Sequence, residues 1–140
     1  MKETAKEALR WFLQAKDDYE FVEWVLKGGM FFDKGCFIAQ QSGVKALKAC
    51  LYATGKRRVI GHSLFEMANQ LVETEKSFQE IMNETRRLDR FYIPTRYPNG
   101  LPGGSPFQIY TERDLTEAFK DLKKVIDLAY KHLEKSEVIY

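Results

Sequence analysis

Three clusters in this sequence combine side chains suited to handling phosphate. The first is Lys56-Arg57-Arg58 followed by His62. Arg57 and His62, with four residues between them, could bracket a phosphodiester, the guanidinium binding phosphate while the imidazole moves a proton. The same residues would equally serve structure, as cations complementing a helix C-terminus and a His supporting the next helix start. The second cluster is the face Gln41, Lys45, Lys48 and Tyr52, which offers ammonium groups to phosphates and a ring to a base. Its structural alternative is a solvated face whose Lys stems cover apolar neighbours. The third is Tyr-Ile-Pro-Thr-Arg-Tyr-Pro at residues 92–98. Arg96 has a planar donor fork for phosphate or carboxylate, and Tyr97 sits beside it between fixed prolines. Such a rigid loop suits ligand binding, although Arg96 could instead bond loop carbonyls while Tyr97 plugs the bundle's end.

Other chemistries find little support. Cys36 and Cys50 lie about 21 Å apart on a continuous helix, so they share neither a zinc ion nor a disulfide. His62 and His132 have no His or Cys at ligand spacing, and no metal site is expected. Pro102-Gly103-Gly104-Ser105 lacks the Gly-Lys-Ser/Thr ending of a phosphate-binding loop, and no Gly-x-Ser-x-Gly elbow occurs. No cofactor is expected.

The elements carrying these clusters read as helices. Ala5, Ala8, Phe12, Ala15, Tyr19, Val22 and Leu26 recur at spacings of three and four, predicting a helix over residues 3–27. Thr4 with Glu7 offers its capping box, and Gly28-Gly29 its end. A second helix spans 33–53. One of its stripes is Phe37, Gln40, Val44, Leu47 and Leu51. The adjacent stripe holds only small residues, Cys36, Ala39, Gly43, Ala46, Cys50 and Ala53. Small side chains admit a close neighbour, so this helix belongs at the centre. Ser63 and Glu66 cap a short helix through Val72, and another runs from 75 to 90 with Phe78, Ile81, Met82, Thr85 and Leu88 inward. Four prolines and three glycines between 94 and 106 exclude helix there. The last helix covers 111–134. The expectation is one all-α domain over residues 1–140, an up-and-down bundle of four to five helices.

Composition agrees. The 140 residues carry 22 Lys+Arg against 20 Asp+Glu, a net charge of +2 that argues against a general polyanion binder. The apolar share, 44%, supplies a core. Two cysteines, no signal-like opening segment and no apolar run near the roughly 20 residues of a membrane span lead to an expected cytoplasmic location.

Three segments together resemble the HEPN family (higher eukaryotes and prokaryotes nucleotide-binding). They are Phe37-Ile38-Ala39-Gln40-Gln41-Ser42-Gly43-Val44-Lys45-Ala46-Leu47-Lys48-Ala49, Gly61-His62-Ser63-Leu64, and Arg96-Tyr97-Pro98. The resemblance covers nearly the whole chain. It implies a helical bundle that forms a homodimer, binds a nucleotide or RNA, and works beside a minimal nucleotidyltransferase, often as a toxin–antitoxin pair. Carried over by position, Lys45, Lys48, His62, Arg96 and Tyr97 become the binding residues. Two positions depart from the family pattern. Val44 stands where the family often has Glu, and no His follows Arg96 before His132, whereas ribonuclease members have an Arg and a His four to six residues apart near the last long helix. Arg57 and His62 have that spacing elsewhere in the chain. A binding module is therefore the first reading. A metal-independent endoribonuclease using Arg57 and His62 is the alternative, and a dimerisation scaffold presenting Trp11, Trp24, Phe31 and Phe32 is the third.

Overall fold

The computed structural model describes residues 2–139. Among these, six α-helices form an up-and-down bundle without strands: α1 (Glu3–Gly28), α2 (Phe32–Ala53), α3 (Leu64–Val72), α4 (Met82–Asp89), α5 (Pro106–Ile109) and α6 (Glu112–Lys135). The turn between α1 and α2 uses Gly29 at φ 72°, whose N–H bonds the Val25 carbonyl, so the paired glycines do end the first helix. The two helices then run antiparallel. Ser42 Oγ donates to the Ala15 carbonyl at 2.7 Å, Lys45 pairs with Asp18, and Trp11 stacks on Tyr52. Tyr19 meets Phe119 and Phe12 meets Tyr130, so α6 is antiparallel to α1. Arg87 grips Asp121 through two hydrogen bonds of 2.8 and 2.9 Å, and Lys124 reaches Glu84, which locks α4 antiparallel to α6.

The small-residue stripe explains why α2 is central. Cys36, Ala39, Gly43, Ala46 and Cys50 are all buried, with neighbours pressed against them. A Cβ on Gly35 would lie 2.8 Å from Leu115 Cδ2, and one on Gly43 would collide with Leu64. The large apolar residues Leu47, Leu51, Phe78, Leu115, Leu122 and Leu133 fill the space around it. Their removal from water, at about 25 cal/mol per Å², is the main driving force of the fold.

Local readings fail where a side chain finds a better partner. The Thr4–Glu7 capping box is absent. Helix α1 starts at Glu3 without a side-chain cap, and Glu7 pairs with Arg10 at 3.0 Å. The continuous helix expected over 75–90 is two pieces, a 3-10 turn at Lys76–Ile81 and then α4. Glu75 forces the tighter start, because it accepts from the Ser77 N–H and from Lys135 while Phe78 turns into the core. The proline-rich stretch is not free of helix either. Pro106 opens α5, where a missing N–H costs nothing, and Gln108 accepts from the Ser105 N–H at 3.0 Å.

Two glycines should respond oppositely to the same change. Gly43→Ala pushes a methyl into Leu64 and should lower stability by about 1–3 kcal/mol. Gly28→Ala meets nothing within 4 Å and should raise it by about 0.5 kcal/mol through helix propensity. Urea denaturation of both variants beside the parent measures the difference.

Candidate functional site

A buried amide organises the functional end of the molecule. Gln40 is fully buried on α2, and an amide there must find partners. Its Nε2 donates to the His62 carbonyl at 2.7 Å, and its Oε1 accepts from Gln41 Nε2 at 2.7 Å. The segment ahead of α3 is thereby fastened to α2. Ser63 then caps α3, its Oγ accepting from the Glu66 N–H at 3.1 Å as the sequence predicts. The acid that completes the cap is Asp89, at the end of α4. It accepts from the Ser63 hydroxyl at 2.8 Å, the Leu64 N–H at 2.8 Å and the Phe65 N–H at 3.1 Å. A carboxylate at a helix N-terminus is favoured by the dipole and by the free amides.

With its backbone fixed, the His62 ring stacks on Tyr92, centroids 4.9 Å apart. Tyr92 also carries Arg96, four residues further along the turn that follows α4. Arg96 Nε donates to the Tyr92 carbonyl at 2.8 Å. Its guanidinium carbon lies 4.6 Å from the Tyr92 ring centre, 4.5 Å from Phe37 and 5.2 Å from Tyr97. Cation–π contacts of this kind hold a guanidinium without neutralising it. No carboxylate pairs with Arg96 among the described residues, and its two terminal NH2 groups have no protein acceptor there. A charged, planar and preoriented donor fork is thus presented at the protein surface. Tyr97 beside it is half exposed. One flank of Arg96 opens on a cleft of about 330 Å³ lined by Asp33, Lys34, Phe37, Pro98 and Phe107.

The remaining sequence candidates lie further along α2 and in the segment that follows it. Lys45 is two turns beyond Phe37, about 12 Å along the axis. Its ammonium is occupied, 2.5 Å from an Asp18 carboxylate that also accepts from Gln14. Lys48 lies 5.0 Å over the Trp11 ring, and partial burial there lowers its pKa. Arg57 is exposed and borders a second cleft of about 760 Å³ with Trp11, Lys45 and Tyr52. The structure therefore brings His62, Arg96 and Tyr97 together through Tyr92. Lys45 and Arg57 line the second cleft with Trp11, over whose ring Lys48 lies, and no hydrogen bond joins Arg57 to His62 among the described residues.

The buried titratable groups have structural surroundings. Burial, with smaller contributions from Asp114 and Asp33, pushes the Cys36 thiol up to about 12, and burial raises Cys50 as well. Neither is a nucleophile at neutral pH. His132 packs edge-on against Phe78, and its pKa is lowered by desolvation. No group of three His, Cys, Asp or Glu side chains suited to a metal ion occurs among the described residues.

Tyr92 falls within the 92–98 cluster without a role of its own, whereas the parts of Phe37 and Asp89 are missed in the sequence. Tyr92 meets Arg96 through a non-helical turn, in which the Arg96 Nε donates to the Tyr92 carbonyl, and no helical spacing rule reveals that pairing. Phe37 reads only as core from its place in an apolar stripe. Asp89 gives no signal at all, because its partners lie 24–26 positions away.

Asp89→Ala removes three acceptor contacts and strands two amides, and should cost about 2 kcal/mol. Chemical denaturation tests the cost. Faster hydrogen exchange confined to the Leu64 and Phe65 amides would locate it.

The HEPN domain model matches residues 8–133. Among solved structures, TT1696 from Thermus thermophilus superposes with a TM-score of 0.84 at 29% identity, over 90% of this chain and 98% of that one. ST0689, described as an archaeal HEPN homologue, superposes with a TM-score of 0.74 at 28% identity, over 95% of this chain and 99% of that one. No curated protein matches the sequence. With the family model spanning nearly all of the bundle, the chain belongs to the HEPN domain family.

Proposed function

We propose that this chain is a binding module that holds the phosphate of a nucleotide or RNA on Arg96. The observation that carries this reading is the state of its guanidinium. It is stacked against Phe37 and Tyr92, tied through Nε to the Tyr92 carbonyl, and left with both NH2 groups free. A structural arginine spends its donors on a carboxylate, as Arg87 does with Nε and one terminal nitrogen on Asp121. Two coplanar N–H donors fixed before the ligand arrives suit a bidentate phosphate contact. His62 and Tyr97 flank it with an imidazole and a phenol ring, while Lys34 beside the cleft is paired with Asp33. Lys45 and Lys48 form a distal part of the same reading. Lys48 and the Trp11–Tyr52 stack offer a cation and rings, whereas Lys45 would first have to leave Asp18.

Membership of the family supports the rest of the proposal: a homodimer acting with a minimal nucleotidyltransferase, in a toxin–antitoxin pair, in the cytoplasm. No helix among the described residues is long and apolar enough to cross a membrane. Calorimetric titration with nucleoside phosphates tests the module. The parent should bind, and Arg96→Ala should bind at least about tenfold more weakly, the loss expected for a charge-assisted pair. Equal affinity in the two proteins would remove Arg96 from the site.

A second reading is a metal-independent ribonuclease. The observation favouring it is that the His62 imidazole and the Arg57 guanidinium are both exposed and, among the described residues, paired with no carboxylate. Cleavage of RNA in EDTA that disappears in both His62→Ala and Arg57→Ala is the expected result of that chemistry. Cleavage unchanged by either substitution would end it.

A further inference from the structure

We propose that Phe107 is the stacking platform for the base of the ligand whose phosphate Arg96 holds. The proposal rests on the phosphate-binding reading of Arg96. It adds the ring that makes the site prefer a nucleotide over a bare sugar phosphate.

The other exposed aromatic residues have a ring or a cation beside them. Phe21 and Trp24 lie against each other, Tyr130 meets Phe12, Phe31 faces Lys34 and Tyr97 faces Arg96. Phe107 is 68% exposed and has neither among the described residues. Its apolar surface stays in water, from which a stacking partner would remove it. Nor does the ring sit on a loose loop. Phe107 belongs to α5, a single turn opened by the buried Pro106. Gln108 Oε1 accepts from the Ser105 N–H at 3.0 Å, and the Tyr110 N–H donates to the Pro106 carbonyl at 3.1 Å. Gly104 enters the turn at φ 70°, where a Cβ would lie 2.9 Å from Ile109 Cδ1. The backbone under the ring is therefore set before any ligand arrives, which lowers the cost of binding.

The ring borders the same cleft that Arg96 lines, with Phe37, Pro98 and Pro106 as the other apolar walls. Phe37, Tyr92 and Tyr97 are already engaged with the Arg96 guanidinium, so the unspent aromatic surface at this cleft is that of Phe107. Asp33, the acid at the cleft, is paired with Lys34 at 3.0 Å. A ligand that uses both Arg96 and Phe107 carries an anion and, a short distance from it, a flat ring. A nucleotide has this form, with the sugar joining the two. Stacking engages the face of a base and not its edge, so the platform accepts all four bases. The volume, about 330 Å³, falls at the lower end of small-molecule sites and suits one nucleotide unit.

Titration of the full chain with 5′-AMP and with ribose 5-phosphate, which keeps sugar and phosphate and lacks the base, tests the idea without any substitution. AMP should bind at least about fivefold more tightly, the lower end of what stacking one base on an aromatic residue contributes. Phe107→Ala should bring AMP down to the ribose 5-phosphate level and leave ribose 5-phosphate unchanged. Phe107→Tyr should keep the preference. A thermal melt checks that both variants fold, as expected for a ring this exposed. A trinucleotide RNA, beside the same trimer with its three bases removed, supplies the other source of the same chemistry. A gain from the base that disappears in Phe107→Ala, in the mononucleotide or in the RNA, supports the proposal and identifies which form is bound. If the base adds nothing in either form, or its gain survives Phe107→Ala, the stacking role is overturned; weaker binding of both ligands by Arg96→Ala would then show that the phosphate site stands. If nothing binds at millimolar concentration, both readings fall.

Discussion

Gln40 is the group on which the arrangement around His62 and Arg96 depends. A primary amide at zero exposure in the middle of a helix bundle has to be hydrogen-bonded, and the segment ahead of α3 supplies the acceptor. Accepting that bond fixes His62. His62 then supports Tyr92, Tyr92 supports Arg96, and Arg96 returns to α2 by lying over Phe37, three residues before Gln40. The result is a closed circuit of short contacts through three separate parts of the chain. Each link is weak alone, on the order of 1 kcal/mol, yet together they hold a guanidinium in one orientation with its outer donors unspent.

The bundle beneath this circuit pairs most of its charges internally. Between α4 and α6 the charges are internally balanced, with Arg87 on Asp121 and Lys124 on Glu84. Between α1 and α2, Lys45 is likewise neutralised by Asp18. Around Arg96 the balance is absent. Arg96 lines a cleft there with its terminal nitrogens unpaired among the described residues. Sites that break local rules of satisfaction are where function is to be sought.

Much of the fold is legible in the sequence because helix signals are local. The apolar periodicity places α1, α2, α3 and α6 to within a residue or two at each end, and the small-residue stripe identifies the central helix. What fails is local as well as long-range. Glu7 chooses Arg10 over the helix start, and Glu75 tightens the chain into a 3-10 turn. The site is legible in part. Arg96, Tyr97 and His62 stand out by residue type, and they do converge through Tyr92. Lys45 looks like a free cation in the sequence because its partner, Asp18, sits 27 positions away on another helix.

The most direct measurement is a crystal structure of the chain with a bound nucleotide. The circuit through Gln40, His62, Tyr92 and Arg96 predicts the phosphate within hydrogen-bond distance, about 3 Å, of both terminal nitrogens of Arg96, with the guanidinium still lying between Phe37 and Tyr92. A phosphate seated instead in the cleft of Trp11, Tyr52 and Arg57, with Arg96 untouched, would contradict it.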